Sequence, residues 1–311
     1  MHAYGPVPSR RLGRSIGVSP IPPKTCSYTC VYCQLGRTTK LTVKRESFYP
    51  KEDVLRDIEK IVALNEADYL TFVGDGEPTL SRDLGWLIRE CRRRFSLKIA
   101  VITNGSLFFD PDVREQVLEA DVILPSLDAG SEEAFRRINR PHPSIRFDQM
   151  LEGQIMLRES FDGQIWEEVM LVSGLNDSEE ALSEIRDCLD RLGADRVYLN
   201  VPIRPPAEEW VMPPSPEKVL RASDILGNAW DISGYETGEF GLGGFSSAKE
   251  AILQLSSRHP MRVGQAEVVE RRLGEEGVIE SLIGTGELKL ITYRGKRYVA
   301  PAWFRRGRRP E

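Results

Sequence analysis

The chain has 311 residues, of which 41% are hydrophobic and 29% charged, so it can bury at least one large core, and its length predicts about two domains. No uninterrupted apolar run approaches the roughly 18 residues that a membrane span needs, and residues 1–15 carry charges and prolines where a signal peptide has an apolar segment. These features argue against a membrane protein and predict a cytoplasmic location, where thiols stay reduced.

The net charge of −5 is distributed unevenly along the chain. Residues 1–49 carry eight Lys and Arg against the single Glu46, and residues 245–311 carry thirteen against eight acidic residues. Basic ends around an acidic middle indicate either an anionic partner or only a solvated surface, and the sequence leaves both open.

From about Ser15 to Arg204, short apolar runs alternate with amphipathic helical patterns. Strand followed by helix, six times over, predicts an α/β fold whose parallel sheet is either doubly wound or curled into a barrel. The predicted helices include residues 50–67, 81–95 and 177–193. The six predicted strands are residues 16–21, 69–74, 98–103, 121–127, 165–172 and 196–203.

Chemically distinctive residues follow the first four predicted strands. Three cysteines come after the first strand, Gly74–Thr79 after the second, Asn104 after the third and Asp128 after the fourth. In folds of this kind the ligand site lies at the carboxyl ends of the strands. We therefore expect these residues to meet at one site.

The pattern changes after Arg204. Five prolines interrupt residues 205–217, a helix is predicted to end near Leu226, and a later stretch is rich enough in glycine to form a linker. Helices followed by a β-hairpin then indicate an α+β unit typical of a winged helix. The predicted domains are a core of residues 1–232, a linker of residues 233–244 and a winged-helix-like unit of residues 245–311.

The cysteines Cys26, Cys30 and Cys33 lie within eight residues of one another, close enough to hold one metal centre. A structural zinc site needs a fourth protein ligand. The remaining cysteines, Cys91 and Cys188, fall in helical patterns that favour a buried apolar role. Three thiolates with one open position fit an iron–sulfur cluster better. The scattered histidines, none with a second ligand beside it, are His2, His142 and His259.

The spacing Cys26-x3-Cys30-x2-Cys33, with Tyr32 before the last cysteine and a Gly-Asp-Gly-Glu-Pro motif after the second strand, resembles the radical S-adenosylmethionine (radical SAM) superfamily over about residues 10–205. The sequence around the cysteines is similar to a subgroup related to the tRNA wyosine-base synthases, although a second cysteine cluster, shared by those synthases, is missing. The resemblance implies a partial (β/α)6 TIM-like barrel.

The resemblance also implies two cofactors. In the superfamily, three cysteines ligate a [4Fe–4S] cluster whose fourth iron binds SAM, and an electron from the cluster breaks the C5′–S bond to give methionine and a 5′-deoxyadenosyl radical. Cys26, Cys30 and Cys33 match those ligands. A reducing electron donor such as ferredoxin or flavodoxin is implied as a partner, and no catalytic residue acting on the substrate is assigned.

A second set of residues matches the family's SAM site. The Gly-Asp-Gly-Glu motif corresponds to the segment that binds the SAM amino group, with Asp75 where the family has its second glycine. Residues ending the third and fourth strands match contacts to the SAM ribose or carboxylate, and turn chemistry is their alternative role. For the aromatic residue before the last cysteine, predicted to flank the adenine, the alternative is core packing. The predicted SAM-binding residues are Tyr32, Gly74, Gly76, Glu77, Asn104, Ser126 and Asp128.

The substrate is left open by the sequence. One interpretation is a radical SAM enzyme that modifies RNA or a nucleotide, and a second is a radical SAM enzyme that modifies a protein or peptide. A third is an iron–sulfur DNA-binding sensor, against which the SAM motif argues. Basic residues near the first strand and the cysteines attract an anionic substrate or offset the charge of the cluster. They are Arg10, Arg11, Arg14, Lys24, Arg37 and Lys40.

The C-terminal unit carries cations where a winged helix contacts phosphates. Glutamates within residues 263–277 would repel a phosphate backbone unless they face away. We therefore favour substrate docking, of RNA or protein, over sequence-specific DNA binding. The candidate phosphate contacts are Arg294, Lys296 and Arg297 in the hairpin and Arg305, Arg306, Arg308 and Arg309 in the tail.

Overall fold

An eight-stranded sheet is the largest feature of the computed structural model, which describes residues 1–227, 229–236, 238–258, 260–304 and 307. The strands of this part of the chain are β1 (Ala3–Ser9), β2 (Gly13–Val18), β3 (Thr25–Cys26), β4 (Lys40–Leu41), β5 (Tyr69–Phe72), β6 (Lys98–Ile102), β7 (Val122–Leu124), β8 (Gln164–Met170), β9 (Arg196–Asn200), β10 (Trp230–Asp231), β11 (Met261–Arg262), β12 (Leu288–Tyr293) and β13 (Lys296–Pro301).

The large sheet is almost entirely parallel. Its strand order is β1-β2-β5-β6-β7-β8-β9-β10, with β1 antiparallel to β2 and all other neighbours parallel. The six predicted strands are confirmed as β2, β5, β6, β7, β8 and β9, and the α/β class with them. Among the described strands no pairing joins β1 to β10, so the sheet is curled but not closed.

Helices connect the parallel strands and cover the outer face of the sheet. Alternate apolar residues of the strands pack under these helices in two large clusters, where Cys91 and Cys188 are buried as predicted. The helices of the described chain are α1 (Lys51–Leu64), α2 (Leu84–Arg94), α3 (Pro111–Val117), α4 (Glu132–Ile138), α5 (Phe147–Ser160), α6 (Glu179–Leu192), α7 (Pro216–Ile225), α8 (Ala248–Arg258), α9 (Val263–Leu273) and α10 (Val278–Gly284).

The turn between β1 and β2 reaches across the inside of the curled sheet. Leu12 at this turn lies in one buried cluster with Ala100, Trp166 and Tyr198, which belong to three different strands. The Arg10 Nη1 atom donates to Asn200 Oδ1 at 2.9 Å and also contacts the carbonyl of Ile232, just after β10. The turn therefore links the two ends of the sheet through side chains rather than through strand pairing.

The C-terminal unit consists of α8, α9 and α10 with a small antiparallel sheet of order β11-β13-β12. The predicted helices and hairpin are present, while the winged-helix assignment stays a prediction. His259 and the tail arginines Arg305, Arg306, Arg308 and Arg309 lie outside the described residues.

The C-terminal unit shares a core with the first strand. Phe240 and Leu242, from the predicted linker, are buried together with Tyr4 and Leu255, and Gly241 N donates to Pro6 O at 2.7 Å. The described part of the linker is thus packed against the protein. The boundaries of the predicted domains stay a proposal. In the described chain no helix has the length and apolarity needed to cross a bilayer.

Candidate functional site

A cavity of about 340 Å³ lies at the carboxyl ends of the parallel strands. The chain leaves β5, β6, β7, β8 and β9 at this end, so the loops that follow these strands supply its walls. The structure brings together nearly all of the predicted site residues here. Those that line the cavity are Cys26, Cys30, Tyr32, Cys33, Gly74, Gly76, Glu77, Asn104 and Ser126.

The cysteine loop, residues 26–37, is held in place by Glu208 through hydrogen bonds and ion pairs. Buried Glu208 accepts from Arg37 Nε at 2.9 Å and from Arg140 Nη1 at 2.6 Å, and its backbone N–H donates to Val31 O at 3.0 Å. Arg37 follows the third cysteine, so these bonds fix both ends of the segment that carries Cys33. Arg37 is thereby held by Glu208, a carboxylate that it shares with Arg140.

All three cysteines of the loop are free thiols that face the same cavity. Desolvation raises the pKa of Cys26, Cys30 and Cys33 above that of an ordinary thiol. Amide donors lie beside two of the sulfurs, with Asn104 Nδ2 3.7 Å from Cys26 Sγ and Asn139 Nδ2 3.6 Å from Cys30 Sγ. Such donors stabilise a thiolate once a metal has displaced the proton.

The arrangement of these thiols decides which metal centre suits them. No group of three His, Cys, Asp or Glu side chains among the described residues converges closely enough to hold a single ion. In a [4Fe–4S] cluster the three thiolates bind three different irons, so they must surround a common space instead. Three thiols on the wall of one cavity, with amide donors behind them, fit that requirement.

The Gly-Asp-Gly-Glu motif follows β5 and passes close to the cysteine loop. A Cβ atom at Gly76 would lie 1.8 Å from the carbonyl oxygen of Thr25, the residue before Cys26. Glu77 N donates to that same carbonyl at 3.1 Å. Only glycine allows this approach, so Gly76 fixes the motif against the loop that carries the cysteines.

Glu77 lines the cavity wall but uses its carboxylate within the protein. Its oxygens accept from Thr79 N at 3.0 Å, the Thr103 hydroxyl at 2.6 Å and Asn104 N at 2.7 Å. Burial raises the pKa of the Glu77 carboxyl, while the Asn104 N–H and the threonine hydroxyls oppose that rise. The Glu77 side chain therefore positions Asn104. A ligand in the cavity would contact the backbone of the motif rather than this carboxylate.

Asn104 links three parts of the site. Its Nδ2 atom donates to Ser27 Oγ at 2.9 Å, close to Cys26, and its Oδ1 atom accepts from Ser106 N at 3.0 Å. Ser126 lies on the wall after β7 and forms an isolated bridge with Glu168 of β8. Both predicted residues are thus at the cavity, Asn104 fixed by hydrogen bonds and Ser126 by backbone pairing.

Asp128 is close to the site but does not line the cavity. Its carboxylate accepts from the Tyr32 hydroxyl, from Asn139 Nδ2 at 2.6 Å and from Met170 N at 2.9 Å. Burial raises its pKa to about 6, with these donors opposing the rise. This geometry gives Asp128 the task of positioning Tyr32, which does face the cavity.

Two polar groups at the cavity have roles that the sequence analysis did not assign. Arg11 forms an ion pair with Glu168, whose other oxygen accepts from Asn200 Nδ2 at 3.2 Å. Arg10 contacts Asn200 as well, and desolvation lowers the pKa of its guanidinium to about 10. Arg10 and Arg11 are basic residues in the sequence, but only the fold shows that they point into the barrel.

Asp75 pairs with the C-terminal unit. Its carboxylate lies 3.5 Å from the guanidinium of Arg258, the last residue of α8, and both side chains are almost fully buried. The Arg258 carbonyl accepts from Gln34 in the cysteine loop at 3.3 Å, and its guanidinium stacks over the Tyr4 ring at 4.4 Å. Asp75, which stands where the family has its second glycine, thus pairs with Arg258 of the distant helix α8. No local sequence pattern predicts this pair.

The described histidines take no part in this site. The His2 ring contacts the Tyr49 ring at a tilt of 52°, with centroids 4.3 Å apart, and His142 forms a hydrogen bond with Ser144 in an exposed turn. Neither lines the cavity that the cysteines share.

Comparison with known proteins identifies the family of this chain. Residues 21–186 match the family described as the radical SAM superfamily. The chain is also 39% identical over 307 residues to the UPF0026 protein MJ1312 of Methanocaldococcus jannaschii, with 94% of each chain covered. The chain therefore belongs to the radical SAM superfamily and, within it, to the family of UPF0026 proteins. The predicted class, a radical SAM enzyme, is confirmed.

Solved structures show the same fold. The structure of TYW1 with a lysine-pyruvate adduct bound superimposes with a TM-score of 0.52 at 19% identity, covering 74% of this chain and 78% of that one. SuiB of Streptococcus suis bound to S-adenosylmethionine gives a TM-score of 0.52 at 16% identity, covering 69% and 49%. The similarity to the TYW1 structure covers nearly three quarters of this chain and agrees with the predicted partial barrel.

Proposed function

We propose that this protein is a radical SAM enzyme that holds a [4Fe–4S] cluster on Cys26, Cys30 and Cys33 and modifies RNA. The observation that carries the proposal is that these three thiols share one cavity with the glycine motif after β5 and with Asn104. When bound, the cluster supplies the electron that cleaves SAM to methionine and a 5′-deoxyadenosyl radical.

The residues of the chain have separate tasks in this proposal. The backbone of Gly74 and Gly76 offers carbonyl groups to the SAM amino group, since both glycines line the cavity. Asn104 and Ser126 offer polar atoms to the ribose and carboxylate. Tyr32 presents its ring to the adenine, with Asp128 holding its hydroxyl. Glu77 positions Asn104.

Water must be kept from a radical, and the fold supplies a closure for the cavity. The turn that carries Arg10, Arg11 and Leu12 fills the inside of the sheet, while Arg258 covers the motif from the other side. The polar pair of Arg11 and Glu168 stands on the inner wall, where a substrate group entering the barrel would meet it.

RNA is the proposed substrate because the C-terminal unit carries a cleft lined by Arg262, Arg272, Lys296 and Arg297. A protein or peptide substrate is the alternative outcome of the experiment below. The electron donor is proposed to be a reduced ferredoxin or flavodoxin.

The test is anaerobic reconstitution followed by measurement of iron and of SAM cleavage. The wild-type protein should hold about four irons per chain and absorb broadly near 400 nm, as expected for thiolate-ligated clusters. Replacing Cys26, Cys30 and Cys33 together by alanine should remove the iron, while the matched Cys91→Ala and Cys188→Ala variant should keep it. Iron retained by the first variant and lost by the second would refute the ligand assignment.

The substrate class is tested in the same preparation. RNA and protein fractions are incubated with enzyme, SAM and reductant, and release of 5′-deoxyadenosine is measured with mass analysis of each fraction. A modification found in RNA supports the proposal. A modification confined to the protein fraction would replace RNA by protein as the substrate.

A further inference from the structure

A second cavity lies in the C-terminal unit, outside the site described above. It is a cleft of about 650 Å³ between the first half of α9 and the start of β13, with residues 238–240 along one side. Its volume is in the range of small-ligand pockets. We call it the basic cleft, because four cationic side chains line it: Arg262, Arg272, Lys296 and Arg297.

The four cations differ in how far their charge is offset. Arg272 pairs with Glu239 at 3.0 Å, and Arg262 lies 4.0 Å from Glu236. By contrast, Lys296 and Arg297 form no ion pair with any described residue. Two charges on the β13 wall therefore remain available to an anionic ligand.

An aromatic ring fixes two of these cations in place. Lys296 Nζ lies 3.5 Å from the centroid of the Tyr235 ring, and the Arg262 guanidinium lies 5.0 Å from the same centroid. Cation–π contacts of this kind hold a side chain without neutralising its charge. Lys296 and Arg262 therefore present their positive charges from fixed positions.

The basic cleft adjoins the cavity that the three cysteines share, called the reaction cavity below. Glu236, next to Tyr235, accepts from Gln265 Nε2 of α9 at 3.1 Å and pairs with Arg204 at 2.9 Å. Glu236 and Arg204 line the reaction cavity, whereas Gln265 and Arg262 line the basic cleft. A polymer lying in the cleft is thus one side-chain layer away from the cavity.

We propose that the basic cleft binds the phosphate backbone of the RNA substrate and directs one nucleotide toward the reaction cavity. This inference rests on the proposed function. RNA is favoured over an acidic peptide because the closely spaced phosphates of its backbone condense counterions, whose release strengthens binding to cations. One acid opposes it, since Glu267 lines the cleft without an ion pair among the described residues.

The test compares binding of in vitro transcribed tRNA and of a polyglutamate peptide to the reconstituted full-length protein over a salt series. The Lys296→Gln and Arg297→Gln double variant removes the two cations without an ion pair in the described chain. It should weaken the salt dependence, so that the negative slope of log affinity against log salt becomes shallower by about 2. Arg294→Gln is the matched control, because Arg294 was a candidate phosphate contact in the sequence and is exposed on the same hairpin but does not line the cleft. Glu267→Gln should tighten tRNA binding.

Three results would overturn the inference. They are equal tRNA binding by the double variant and the wild type, an equal loss in Arg294→Gln, and polyglutamate binding that competes with tRNA at comparable concentration. Cleavage of SAM in the absence of substrate is measured alongside, and we expect the double variant to retain it. If tRNA binding does not depend on Lys296 and Arg297 while SAM cleavage is intact, the role of the cleft alone is refuted. If the protein holds no cluster and cleaves no SAM, the proposed function is refuted.

Discussion

The buried carboxylate of Glu77 acts as a fixed hydrogen-bond acceptor. Replacing Glu77 by Ala leaves the Thr103 hydroxyl and the Asn104 N–H without their buried acceptor, at about 1–3 kcal/mol for each group. We expect a lower free energy of unfolding, weaker SAM binding and unchanged iron content, measured by denaturant titration, equilibrium dialysis and iron analysis. Glu77→Gln keeps one acceptor oxygen and should be milder. Equal SAM binding by wild type and Ala variant would remove Glu77 from the site.

The pair of Asp75 and Arg258 gives a second prediction at this scale. Replacing Arg258 by Gln leaves a buried carboxylate without its cation, which typically costs about 3–5 kcal/mol, and should weaken SAM binding through the displaced motif. Asp75→Gly restores the glycine of the family and removes the need for the cation. The double variant should therefore be more stable and bind SAM more tightly than Arg258→Gln alone. Strictly additive losses in this double-mutant cycle would show that the two residues act independently.

At the scale of elements, β8 carries an acid on its outer face. Glu167 is 1% exposed, and neither of its oxygens has a hydrogen-bond partner among the described residues. The pKa of Glu167 is raised from an ordinary value of 4.5 to about 8. Burial is the larger cause, and repulsion by the charge of Asp128 is the smaller one. The folded state therefore retains a proton that the unfolded chain has lost.

The sign of the resulting pH dependence follows from that difference. The stabilisation by the bound proton is complete below pH 4.5 and is lost as the pH rises through 8. Relative to Glu167→Gln, which is neutral throughout, the wild-type free energy of unfolding should fall by about 1.4 kcal/mol per pH unit between about pH 5 and 7.5. Urea titrations at several pH values measure this. Parallel pH profiles for the two proteins would contradict the raised pKa.

The elements that the sequence predicts are those with a local pattern. Six strands follow from apolar runs bounded by turns, and their order along the chain places the cysteines and the glycine motif at one end of the sheet. Strand β1 has no such pattern because Pro6 and Pro8 interrupt it, which an edge strand tolerates since one side needs no hydrogen bonds. Strand β10 has only two residues.

The parts of the site that the sequence does not predict depend on long-range contacts. Arg258 reaches Asp75 from 183 residues along the chain, and Arg10 reaches Asn200 from 190. For Asp128 the position after a strand predicts nearness to the site, but which way its carboxylate points is set by Tyr32, Asn139 and the β8 backbone.

At the scale of the whole molecule, the proposed boundary near residue 232 is crossed by buried contacts. The Tyr298 hydroxyl donates to Ile203 O at 2.8 Å and that of Tyr293 to Pro202 O at 3.1 Å, while Tyr4 packs against Leu255. We expect the fragment 1–234 to bind iron but to melt well below the full-length protein, because it exposes the partners of these side chains. Iron analysis and thermal unfolding measure both. Complete aggregation of the fragment would instead show one indivisible core.

The contact between Arg258 and the first residues also constrains how the protein is made. Arg258 Nη2 donates to Met1 O at 3.2 Å, across 257 residues of chain. A ribosome has synthesised more than four fifths of the protein before Arg258 is added. Tyr4 in the first strand therefore lacks its covering side chain during most of translation. Contacts of such sequence separation form slowly, and the exposed apolar surface of a waiting segment favours aggregation. The motif that carries Asp75 therefore reaches its final surroundings only after α8 has left the ribosome.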